Sequence, residues 1–111
     1  MEAITQVTLA EGLLLTAATA LGAGDPIDLN NHSREIAFYI TGDGAVSGGV
    51  VTLETSDDPT YTGTWAIIGS PVTVTANAKQ IVQATGCFRY VRARVSTIIV
   101  GGTVTVRLAA N

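Results

Sequence analysis

The sequence predicts an all-β protein, an antiparallel β-sandwich of jelly-roll-like layout with seven to nine short strands and little or no helix. Sixteen threonines and twelve valines among 111 residues supply side chains branched at Cβ, which suit a pleated sheet better than a helix. Apolar and polar residues alternate with period two in segment after segment. Glycine, proline, asparagine and aspartate break these segments at short intervals, with no long helical pattern between them.

Residues 1–12 read as an N-terminal arm or edge strand, and residues 13–111 as a single sandwich domain. The run from Leu13 to Gly24 is rich in Ala and Leu, but Thr16, Thr19 and the Gly22-Ala23-Gly24 end favour an extended strand that supplies a pairing partner. The same run is too short to cross a bilayer as a helix. Glu2 and Glu11, with no cation, precede it, so it does not read as a secretion signal. From Arg34 to Thr41, Ile36, Phe38 and Ile40 fall on one face while Glu35, Ala37 and Tyr39 fall on the other. The glycine-rich run Gly42–Gly49 reads as a hairpin or connecting loop. Beyond it Val51, Leu53 and Thr55 alternate against Thr52, Glu54 and Ser56. Turns at Asp57–Gly63, Gly69–Pro71 and Ala76–Ala78 set off a strand carrying Val72 and Val74. After Gly86, Val91, Ala93 and Val95 alternate with Tyr90, Arg92 and Arg94. The last strand sets Val104, Val106 and Leu108 against Thr103, Thr105 and Arg107.

Composition narrows the function classes. At 47% hydrophobic and 14% charged residues the chain is not intrinsically disordered, and a single cysteine rules out an intrachain disulfide framework. A net charge of −3 disfavours a general nucleic-acid binder. His32, in the polar turn Asn30–Ser33, is the single histidine, and Ser33 beside it would point to the opposite face of an extended chain, so no catalytic residue is assigned. One His and one Cys far apart make no transition-metal ligand set, and Asp57 with Asp58 lacks the acidic spacing of a calcium loop, so no metal or cofactor is expected. The glycines of Gly42–Gly49 have no lysine and no following helix with which to cradle a phosphate. Cys87 reads as a reduced, half-buried thiol.

Charge is split along the chain. Through Asp58 all nine acids stand against Arg34 alone, whereas the remainder carries five cations and no acid. Tyr90, Arg92 and Arg94 share one face of their strand and form a stripe suited either to acidic strands of the same molecule or to a partner surface, with phosphate or glycan binding as a third reading. Arg107, Tyr61 and Trp65 complete the candidate partner-binding set. Tyr61 and Trp65 would stack on a sugar if exposed, while a Trp opening a strand also suits a core.

Several segments carry a resemblance: Ala20–Gly24 before Ile27-Asp28-Leu29, Val51–Asp57 followed by Thr64–Gly69, and Phe88–Val95 followed by Gly101–Leu108. In these the chain resembles small β-sandwich structural proteins of tailed-bacteriophage particles. An acidic strand ending in Ser-Asp, with a Trp opening the next strand, also looks like discoidin-type galactose-binding sandwiches. The phage resemblance implies a non-enzymatic virion protein, made in the host cytoplasm and placed on the capsid surface. There it would act as a decoration or cement protein at capsid subunit junctions. The alternatives it implies are a tail or head-completion part, or a carbohydrate-binding module at the host-contacting tip. Implied partners are the major capsid protein or other virion proteins and further copies of the chain, with a trimer favoured, and neither nucleic acid nor membrane.

Overall fold

The computed structural model describes residues 10–29 and 35–110, so the expectations for residues 1–9, His32 and Arg34 lie outside the described residues. Seven strands follow in order: β1 (Ala10–Ala18), β2 (Gly22–Ala23), β3 (Ile27–Asp28), β4 (Ile36–Ser56), β5 (Ala66–Thr73), β6 (Lys79–Ala84) and β7 (Tyr90–Ala110). Every pairing is antiparallel, and the described residues contain no helix. Residues 10–12, expected in an arm or edge strand, belong to β1, which pairs with the end of β7 at the edge of the sheet.

The architecture is built on β4 and β7, each 21 residues long, which pair along nearly their whole length. Two strands are therefore long where only short ones were expected, and the correction has a local cause. The glycines at 42–49 do not form a loop. They let β4 bend while it stays paired, with register shifts between Gly44 and Val51, opposite Val95–Gly102 of β7. Gly44 and Gly101 take positive φ values of 66° and 87°, which an L side chain rarely adopts. A Cβ at Gly102 would collide with the carbonyl oxygen of Asp43.

The bend divides each long strand between two layers. In sheet I the order is β1, residues 102–110 of β7, residues 36–44 of β4, then β6. In sheet II β2 and β3 pair with residues 90–95 of β7, which pair with residues 51–56 of β4, and β5 forms the far edge. The layers close over one apolar cluster. Ile36, Phe38, Ile40, Val104, Val106 and Leu108 enter it from sheet I, and Val51, Leu53, Val91, Ala93 and Val95 from sheet II. These are the alternating residues expected to point inward, because only a strand with one face buried writes period two into its sequence. Val72 and Val74 are buried as well, and Cys87 packs half-buried against the cluster, where desolvation raises its pKa.

Candidate functional site

The stripe Tyr90, Arg92, Arg94 lies on the outer face of sheet II, as the alternation of its strand requires. Register then decides its partners. Glu54 stands opposite Arg92, Thr52 opposite Arg94 and Ser56 opposite Tyr90. Arg92 Nε donates to Glu54 Oε1 at 2.8 Å, and Arg94 Nε lies 3.7 Å from Glu54 Oε2. Thr52 and Ser96 hydroxyls bond at 2.9 Å along the same face. Glu54 is only 4% exposed although it points away from the apolar cluster, held beneath Arg92 and Arg94, and Arg92 in turn lies against the Trp65 ring. A carboxylate buried this far persists only when charge-paired and hydrogen-bonded.

Trp65 forms the lid of this arrangement. The Arg92 guanidinium carbon lies 4.0 Å from the centroid of its ring, and its Nε1–H donates to the Tyr61 carbonyl oxygen at 2.9 Å. The loop before β5 fixes that carbonyl. Asp58 Oδ1 accepts from the Thr60 backbone N–H at 2.9 Å and from the Thr60 hydroxyl at 2.8 Å, and the Tyr61 N–H donates to the Asp58 carbonyl oxygen. Those two bonds to Thr60 hold the Asp58 carboxyl below its ordinary pKa, the backbone bond contributing most. Trp65 is 2% exposed, so the indole presents no open face for a sugar to stack on. Tyr61 remains about half-exposed, as does Phe88, and both line a small cleft together with Asp57 and Thr64.

The six residues singled out from the sequence therefore separate. Trp65, Arg92 and Arg94 join Glu54 in one internally paired cluster, with Tyr90 beside it and Tyr61 supplying a backbone acceptor. Arg107 stands apart on the outer face of sheet I. Arg89, which was not singled out, makes a two-pronged exposed bond to Asp28 at 2.7 and 2.9 Å that raises its pKa further. Among the described residues no group of three or more His, Cys, Asp or Glu side chains is placed to hold a metal ion.

Sequence reasoning about charge did not bring out a row across sheet I. Leu13 is opposite Arg107, Arg107 is opposite Tyr39, and Tyr39 is opposite Ile81, one residue from each of the four strands. Leu13 is 45% exposed, Tyr39 41% and Ile81 63%. Flanking this row, Ala109 is opposite Ala37 and Thr105 is opposite Thr41. The signal was present in the sequence, since Tyr39 and Arg107 were assigned to outward faces, but the contribution of β1 and β6 depends on strand pairing.

No protein-family model matches the chain, and no curated protein matches it. Its fold is similar to that in the crystal structure of the SPBc2 prophage-derived protein YomS, with a TM-score of 0.67 over 98% of both chains at 18% sequence identity. At that identity the likeness is one of fold.

Proposed function

We propose that this chain is a non-enzymatic structural protein of a phage particle, a decoration or cement protein that binds the major capsid protein at subunit junctions and stabilises the head. The observation that carries the reading is the outer face of sheet I, where Leu13, Tyr39 and Ile81 stand exposed in one cross-strand row with Arg107 between Leu13 and Tyr39. Large apolar side chains left exposed on one sheet face around a single cation suit a surface used in assembly. The shared fold with a prophage-derived protein supports the phage setting, and the internal pairing of Arg92 and Arg94 favours sheet I over the arginine stripe as the assembly surface. Purified particles test it. Mass spectrometry should find the chain in numbers comparable to the capsid subunit, and a particle map should place it at capsid junctions; absence, or a few copies at the tail, overturns the reading.

The Tyr61–Phe88 cleft favours a second reading, a carbohydrate-binding module, because two half-exposed rings beside an acidic and a hydroxyl side chain suit a sugar ring. A glycan array whose hits disappear in Tyr61→Ala supports this reading, and an array without hits removes it.

A further inference from the structure

We infer that the outer face of sheet I binds a second copy of this chain, giving a two-fold dimer in which the four-residue row of one protomer lies antiparallel on that of the other. The inference rests on the reading of this face as an assembly surface and names a second copy, not the capsid subunit, as its occupant, so that the dimer would meet the capsid through its other faces.

The argument is the order of side chains across the sheet. From edge to edge the row reads Leu13, Arg107, Tyr39, Ile81. A two-fold axis parallel to the strands, midway between β7 and β4, reverses that order in the facing copy. Leu13 then meets Ile81 of the partner subunit, and Arg107 meets Tyr39 of the partner subunit. Apolar faces apolar, and a guanidinium faces an aromatic ring. In the flanking rows the same operation sets Ala109 on the partner's Ala37 and Thr105 on the partner's Thr41, small on small and hydroxyl on hydroxyl. An isologous contact requires self-complementarity of this kind, and face-to-face sheets pack with near-parallel strands.

The alternative two-fold axis, across the strands, would put Arg107 against its own copy and is disfavoured by like-charge repulsion. Arg107 is also the arginine available for such a contact. Among the residues whose side chains are described, no carboxylate lies within ion-pair distance of it and it stacks on no ring, whereas Arg89 and Arg92 have both kinds of partner and Arg94 has Glu54.

The test uses the full purified chain. Sedimentation equilibrium should give a dimer, and Ile81→Asp and Leu13→Asp should each weaken it at least tenfold while leaving the β-sheet circular dichroism unchanged. These positions are exposed, so each variant checks the fold of the other. Facing sheets lie about 10 Å apart, too far for a disulfide, so orientation is read with a short bismaleimide on Leu13→Cys/Ile81→Cys in a Cys87→Ser background. Links between position 13 of one copy and position 81 of another are expected. A monomer, a trimer, or links joining like positions would overturn the inference. A monomer that still occupies capsid junctions would leave the proposed function standing without it, whereas a dimer absent from particles would do the reverse.

Discussion

The guanidinium carbon of Arg92 lies 4.0 Å from the centroid of the Trp65 ring, so one side chain joins the loop before β5 to the centre of sheet II. Its Nε holds the buried carboxylate of Glu54 at 2.8 Å. Removing Arg92 leaves Glu54 with only the longer contact to Arg94 and uncovers the indole. Arg92→Ala is expected to lower stability by about 3 kcal/mol, since breaking a buried pair strands the remaining charge. Arg94, half-exposed and 3.7 Å from Glu54, should cost less than about 1 kcal/mol on the same change. Urea midpoints at unchanged slope measure both, and equal losses would show that Glu54 does not distinguish its two arginines.

The same pairing predicts what the stripe does not do. Because both arginines face Glu54 within the molecule, the Arg92→Ala/Arg94→Ala double variant should melt earlier yet assemble with unchanged affinity and unchanged salt dependence. Sedimentation and particle retention across a salt series check this, with acrylamide quenching of Trp65 fluorescence as the internal control. Quenching should rise when Arg92 is removed. A salt-sensitive loss of assembly would return the stripe to the role of partner contact.

The inward faces were legible because burial acts residue by residue. Phe38, Leu53, Val91 and Val106 each sit between outward-facing neighbours, and no knowledge of strand order is needed to see it. The continuity of β4 was not legible, because glycine marks a loop and a paired bend with the same letter. Only the facing β7 shows which one Gly44 serves. The buried state of Glu54 was hidden for a similar reason. Its strand position is outward, and its partners Arg92 and Arg94, with Trp65 stacked on Arg92, are brought to it only by strand pairing. A Trp opening a strand suits a core, and Trp65 is buried, but over the outer face of sheet II rather than in the central apolar cluster.

The bend gives a contrast between two glycines of the same segment pair. A Cβ at Gly102 would strike the carbonyl oxygen of Asp43 and crowd Val46, so Gly102→Ala must displace paired backbone. A loss of about 2–3 kcal/mol is expected, in the range of overpacking. A Cβ at Gly48 meets nothing within 4 Å and its φ is not positive, so Gly48→Ala should change stability by no more than about 0.5 kcal/mol. Thermal or denaturant unfolding of the two variants side by side measures the difference. Equal behaviour would mean that β4 and β7 part at the bend in solution.

Acid should loosen the loop that places the Trp65 lid. The Asp58 carboxyl is held below its ordinary pKa by the Thr60 backbone N–H and then by the Thr60 hydroxyl. A carboxyl with a depressed folded pKa contributes stability that is fully present above its unfolded pKa, near 3.8, and is lost as pH falls through the lower folded value. The difference in melting temperature between the native chain and Asp58→Asn, which keeps a neutral acceptor, should therefore be constant near neutrality and shrink below about pH 4. Protection of the Tyr61 amide, which donates to the Asp58 carbonyl oxygen, measured against its intrinsic exchange rate at each pH, should fall over the same interval in the native chain. A difference that persists unchanged into strong acid would mean that the charge of Asp58 plays no part in holding this loop.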